Sequence, residues 1–155
     1  MSQLTLSSID SSLVEQISAK KNEPDWLKEY RKNSLSVYHD LPQEVSPLYN
    51  KYTDARRMNP EQVSLSLDSD SSIPDFLTKR LDEIKNETSI VQIGSNIHSI
   101  NVQDELKSKG LIISSLDDAL EDHSKLIQKT LEGSNSKEDK YTALNNAAFN
   151  SGIFI

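Results

Sequence analysis

The sequence predicts an α+β chain in which a helical amino-terminal arm precedes a small sheet flanked by helices. Three observations carry that prediction. Apolar residues recur at three- and four-residue steps up to Leu41, the period of an amphipathic helix. The pattern then changes at Ile90, Val91 and Ile93, and again at Ile97, Ile100 and Val102 beyond Gly94-Ser95-Asn96, which suits a hairpin. Finally, a helical stretch gives way at Gly152 to Ile153, Phe154 and Ile155, a bare β-prone end that asks for a neighbouring strand. Domains normally finish in polar, solvated residues, so the expectation is the front piece of a longer protein, cut where a β-domain begins.

Each element has a local cause. Asp10 can cap a first helix with Leu13, Val14 and Ile17 on its apolar side, and Ile9 is placed to staple against Val14. That helix is expected to end near Lys21-Asn22. A second starts at Glu23-Pro24-Asp25, with proline in the first helical position and an acidic first turn. Its predicted stripe is Leu27, Tyr30, Ser34, Tyr38 and Leu41, and Pro42 ends it. Residues 43–72 read as a connecting arm in which Val63, Leu65 and Leu67 alternate like a short edge strand.

Ile73-Pro74-Asp75 restarts a helix carrying Phe76, Leu77, Leu81 and Ile84 on one side. The hairpin follows, then a short helix from Asp104 to Lys109, and Gly110 leads into Leu111-Ile112-Ile113 as a third strand. Ser115 and Asp118 have capping-box spacing, with Asp where the box prefers Glu or Gln. The stripe Leu116, Leu120, His123, Ile127 and Leu131 predicts a helix broken near His123-Ser124 and closed by Gly133. The last helix carries Tyr141, Leu144 and Ala148. The domain reading is therefore a helical arm and connecting loop over 1–72, a small α+β domain over 73–150, and a first strand of a further β-domain over 151–155.

Composition narrows the function classes. A chain of 155 residues can bury roughly 70% of its unfolded surface, but a hydrophobic share of 35% implies a lean core. A net charge of -7 argues against a general nucleic-acid binder, since phosphate neutralisation needs clustered cations and the densest basic groups are the pairs Lys20-Lys21 and Arg56-Arg57. No cysteine is present, so these residues hold no disulfide and no thiolate ligand for zinc or an iron-sulfur cluster. The first residues lack a secretory pattern and no run approaches a membrane span, so a cytoplasmic protein without a membrane partner is expected.

No catalytic, cofactor or metal residue emerges. His39, His98 and His123 lie in different segments without a second ligand at a recognised metal spacing. Asp117-Asp118 and Glu121-Asp122 suit helix starts and solvated faces better than paired acid-base chemistry. The four glycines make no phosphate-cradling loop and no nucleophile elbow. Trp26 is either a core or interdomain anchor or a docking residue of the kind enriched in interface hot spots.

Three segments together resemble the SufB/SufD family of iron-sulfur cluster assembly scaffold proteins. Glu23, Pro24, Trp26, Leu27 and Arg31 match a Glu-Pro-x-Trp-hydrophobic-x-x-x-Arg helix, and Lys51-Tyr52-Thr53-Asp54 resembles an aromatic-Thr-Asp element more typical of SufD. The stretch from Gly110 to Leu120, then Asp139-Lys-Tyr-Thr-Ala-Leu-Asn-Asn-Ala-Ala-Phe and Gly152-Ile-Phe-Ile, is similar to the segments leading into the family's β-helix. Family members usually carry His-Pro where this chain has His123-Ser124.

The resemblance implies the amino-terminal portion of a SufD-like subunit, with 151–155 starting a β-helix. In the parent complex it implies an iron-sulfur cluster, a SufB-like partner and a SufC-like ATPase, all engaged by regions beyond residue 155. A structural or positioning role without chemistry of its own follows, so the expectation is not an enzyme. Trp26, Tyr30, Tyr52, Ile153, Phe154 and Ile155 are the candidates for interaction or interdomain packing. The alternative is a stand-alone interaction adaptor using the Trp26 helix or the open end strand; a hydrolase using His123 with Asp122 is a more distant one.

Overall fold

The computed structural model describes residues 3–5, 9–43, 64–66, 72–134 and 137–155. In chain order the elements are β1 (Gln3–Thr5), α1 (Ser11–Lys21), α2 (Asp25–Asp40), β2 (Ser64–Ser66), α3 (Asp75–Ile84), β3 (Ser89–Ile93), β4 (Asn96–Asn101), α4 (Asp104–Ser108), β5 (Ser114–Ser115), α5 (Leu116–Asp122), α6 (Ser124–Glu132), α7 (Lys140–Ala148) and β6 (Ile153–Phe154). The described strands pair two by two, as β1-β2, β3-β4 and β5-β6. The chain is α+β, as the sequence predicts. Its elements fall into two units, one holding α1, α2, α6 and α7, the other holding α3, β3, β4, α4, β5, α5 and β6.

In the helical unit, capping chemistry sets the boundaries. Asp10 accepts the Ser12 amide at 2.9 Å, satisfying one of the orphan donors of the first turn. Ile9 packs on the cluster that contains Val14, which is the expected staple. At the other end Asn22 adopts φ 50°, and the amides of Asn22 and Glu23 return to the carbonyls of Ala19 and Ser18, a Schellman closure with asparagine in the left-handed position. Pro24 stands one residue outside α2, as its extended cap, rather than in the first helical position.

The buried faces correct two predicted stripes. In α2 the buried residues are Leu27, Arg31, Ser34 and Leu35, so a charged side chain sits between two leucines while Tyr30 and Tyr38 are half-buried at the margin. Arginine can occupy that row because it has an internal counterion. In α7 the buried residues are Ala143, Asn146 and Ala147, not Tyr141, Leu144 and Ala148; α2 packs along α7, and small side chains at the contact let two helices approach closely. With Leu13, Val14, Ile17 and Ile127 these residues make the core of the unit, each large aliphatic contributing about 1.5–3 kcal/mol by burial.

The second unit is built mostly from local bonds. β3 and β4 form the predicted hairpin, with Ile90 opposite Ile100 and a register shift between Val91 and Gln92. Gly94 has φ 59°, the left-handed conformation that a two-residue hairpin turn demands at its first position. The Asn101 side chain donates to the Lys85 and Glu87 carbonyls at 2.9 and 2.6 Å, and the Gln103 side chain donates to the Asn86 carbonyl at 2.9 Å. These bonds tie the exit of α3 to the end of the hairpin.

The predicted strand over Leu111-Ile112-Ile113 is not formed; the ladder begins at β5. Gly110, at φ 91°, closes α4, and the Leu111 amide bonds the Leu106 carbonyl at 3.0 Å, so that amide is already engaged when a strand would need it. Only Ser114 and Ser115 find partners, opposite Phe154 and Ile153. The end strand therefore has a neighbour within the chain. Ser115 accepts the Asp118 amide at 3.0 Å and donates to the Asp118 carboxylate at 2.6 Å. That is half a capping box, since the shorter Asp turns to the hydroxyl instead of the backbone amide.

The chain breaks between α5 and α6 at His123, as predicted, with φ -124° and ψ 22°. Gly133 closes α6 in a right-handed conformation, so its role there requires no left-handed backbone.

Candidate functional site

The most elaborate side-chain arrangement lies where α1, α2 and α7 meet. Arg31 and Glu23 form an ion pair at 2.6 Å with the two side chains 1% and 3% exposed, which removes both from solvent. Both Nε and Nη2 of Arg31 donate to the Glu23 carboxylate, at 2.8 and 2.6 Å, the bidentate geometry a planar guanidinium favours. Nη1 donates to the Ala147 carbonyl at 3.2 Å, and the guanidinium carbon stands 4.0 Å from the Phe149 ring centroid, within cation–π range. Glu23 also accepts from the Ser18 hydroxyl at 2.9 Å. Every guanidinium nitrogen and both carboxylate oxygens are thereby engaged, which is the condition for tolerating buried charge.

The opposite end of α7 is fixed by a second cation. Lys140 donates from Nζ to the Tyr38 and Leu41 carbonyls at 2.6 and 2.9 Å and lies 4.3 Å from the Tyr38 ring centroid. Those carbonyls belong to the end of α2, where a positive charge complements the helix dipole. Beside it, Asp139 caps α7 by accepting the Tyr141 and Thr142 amides at 2.7 and 2.9 Å. Hydrogen bonds from the Thr142 hydroxyl first and then from the Thr142 amide hold the Asp139 carboxyl below its ordinary pKa, against an opposing effect of burial that exceeds the further lowering by the Tyr141 amide.

Trp26 is half-buried, and its indole donates to the Ser124 hydroxyl at 3.0 Å, joining α2 to α6. These are bonds that position helices. Each guanidinium nitrogen of Arg31 and each carboxylate oxygen of Glu23 makes a bond within this unit.

Glu23, Trp26, Arg31, Asp139 and Lys140 of this arrangement also belong to segments that carry the family resemblance. Among curated proteins, the iron-sulfur cluster assembly protein SufD of Bacillus subtilis (strain 168) is 32% identical over 154 residues, which is 96% of this chain and 35% of the relative. An iron-sulfur cluster assembly SufBD family protein of Staphylococcus aureus (strain USA300) is 27% identical over 164 residues, covering 95% of this chain and 34% of the relative. The chain is homologous to proteins of the SufB/SufD family. It spans about a third of the length of these curated relatives. No family model matches the chain, and no solved structure matches it significantly.

The SufB/SufD-like motifs acquire physical roles from this geometry. In the first motif Glu23 and Arg31 are the buried pair, Pro24 is the extended cap of α2, Leu27 is fully buried, and Trp26 reaches Ser124. In the last motif Lys140 caps α2, Ala143 and Ala147 form the buried face, and Asn146 donates to Ser134 at 3.3 Å.

Of the six residues proposed for interaction or packing, Trp26 makes the bond to Ser124. Tyr30 is half-buried, and its hydroxyl is enclosed with no hydrogen-bond partner among the described residues. Ile153 and Phe154 are half-buried in β6, and Ile155 is 74% exposed. Tyr52 lies outside the described residues.

The roles of Arg31, Glu23, Asp139 and Lys140 escaped sequence reasoning. Glu23 stands ahead of the extended Pro24, outside α2, so helical spacing gave no signal of its pairing with Arg31. Asp139 before a three-residue step to Thr142 resembles a cap. His39 and His98 are exposed and His123 is half-buried. Among the described residues no three His, Asp or Glu side chains gather to hold a metal ion, and no helix is long and apolar enough to cross a membrane.

Proposed function

We propose that this chain is the amino-terminal domain of a SufD-like scaffold subunit for iron-sulfur cluster assembly, acting structurally rather than chemically. The observation that carries this reading is the match of nearly the whole chain to proteins named for that process, 32% identical in the first case. Supporting it, Arg31 and Lys140, two residues of the segments that carry the resemblance, are engaged in helix packing and capping. In this reading the SufB-like partner, the SufC-like ATPase and the cluster belong to parts of the longer family proteins that this chain does not match, and the setting is cytoplasmic.

The test is anaerobic reconstitution of the 155-residue chain with iron and sulfide, followed by iron analysis, visible absorbance and an ATP hydrolysis assay. The expected outcome is no stoichiometric iron, no charge-transfer bands and no hydrolysis. A stoichiometric cluster on this chain would contradict a purely positioning role.

A further inference from the structure

The two cations that join α2 and α7 are spaced alike on the two helices. On α2, Arg31 and Tyr38 are seven residues apart; on α7, Ala147 and Lys140 are also seven apart. Arg31 bonds the Ala147 carbonyl and Lys140 bonds the Tyr38 carbonyl, so the helices run antiparallel with matched polar links at both ends. Between the links the buried face of α7 offers Ala143 and Ala147, each fully buried and one turn apart.

The two alanines alone discriminate poorly between registers, since sliding α7 by one turn, about 5.4 Å, puts one where the other had been; buried Asn146, which donates to Ser134 at 3.3 Å, lies on the same face and moves with them. The polar links do discriminate, because the same slide separates Arg31 from its carbonyl and Lys140 from the end of α2. A guanidinium already buried against Glu23 would then lack a partner for Nη1, and buried unpaired donors are costly. Buried ion pairs are weak sources of net stability, and their best-attested role is to select one register.

We infer that Arg31, held by Glu23, and Lys140 form a two-point register lock that selects one alignment of α7 on α2. The lock is independent of the scaffold reading and would operate in any protein containing these helices. Its members are positioning residues; the stability of the unit rests on the buried leucines, isoleucines, valine and alanines around them.

The chain has no cysteine of its own, so spin labels can be placed uniquely at the exposed positions Asn33 and Asn145 as Asn33→Cys and Asn145→Cys. With the lock intact, pulsed electron paramagnetic resonance is expected to give one interlabel distance. In Glu23→Met/Arg31→Met/Lys140→Met, with helix content checked by circular dichroism, a second population in which α7 is displaced by about one turn, about 5.4 Å, is expected. Lys140→Met alone should give a smaller fraction of the same population. A single unchanged distance in both variants would overturn the lock. Outright unfolding of the triple variant would overturn it too, by showing that the charges supply net stability instead of register.

Discussion

The helical unit and the hairpin-containing unit are stabilised in different ways. Among the described residues, Leu13, Val14, Ile17, Leu27, Leu35, Ile127, Ala143 and Ala147 are buried in the first, but only Val102 and Ala119 are buried apolar residues of the second. All the buried polar residues described, Ser18, Arg31, Ser34 and Asn146, also lie in the helical unit. The hairpin unit relies on a strand ladder and on side chains such as Asn101 that bond backbone carbonyls. Deep packing makes a unit sensitive to single atoms, whereas local bonding near solvent spreads the cost of any change over replaceable partners. The difference teaches that Glu23, Leu27, Arg31, Lys140, Ala143 and Ala147, motif residues of the helical unit, mark where the alignment of α2 and α7 is specified, whereas the motif stretch from Gly110 to Leu120 lies in the other unit.

The largest expected effect is from Arg31→Ala. It strands the Glu23 carboxylate in a buried site and should lower unfolding free energy by about 3–5 kcal/mol, read as a shift of the urea midpoint. Leu27→Ala should cost about 2–5 kcal/mol by the lost burial and the cavity left behind. Its counterpart in the other unit is Phe76→Ala: Phe76 is 79% exposed, and removal should change stability by no more than about 0.5 kcal/mol. A cost of Phe76→Ala equal to that of Leu27→Ala would break the comparison.

Asp139 probes an intermediate level. Asp139→Ala removes the cap of α7 and should cost about 1 kcal/mol. Asp139→Asn keeps a capping oxygen without the charge, which isolates the titration. The folded-state pKa is lowered, so the charged form's contribution is fully present above the unfolded-state pKa and is lost as pH falls through the lower folded one. The stability difference between the original chain and Asp139→Asn should therefore shrink on acidification across that window; a difference independent of pH would contradict it. At the small end, Arg80→Ala breaks an exposed pair with Glu83 at 2.9 Å and should change the urea midpoint by the equivalent of less than about 1 kcal/mol.

Much of the local structure was legible because its causes are local. Asp10, Ile9, Asn22, Pro42, Gly94 and the break at His123 act on residues within a few positions of themselves, and the boundaries they predicted are close to those observed. What was hidden depends on partners distant in sequence. Hydropathy places Arg31 outside and Tyr30 inside; the order reverses because Glu23 and Ala147 supply the bonds that an arginine needs in a core. The buried face of α7 was missed because alanines mark it only once α2 is close. Leu111 to Ile113 look like a strand, but strands require a partner, and the Leu111 amide closes α4. The helix α3 forms where the sequence predicts it, yet of its apolar residues Phe76 and Leu77 are exposed and Leu81 and Ile84 only half-buried.

Native-state hydrogen exchange compares the two units most directly. Amides of α2 and α7 should exchange only through global unfolding, with free energies matching the urea value, while those of α3 and the β3-β4 hairpin should exchange through smaller openings. Arg31→Ala should lower protection in α2 and α7 together and leave α3 unchanged. Equal protection of α3 and α7 in the original chain, or loss of protection in α3 before α7 in the variant, would contradict the claim that the motif residues organise the helical unit.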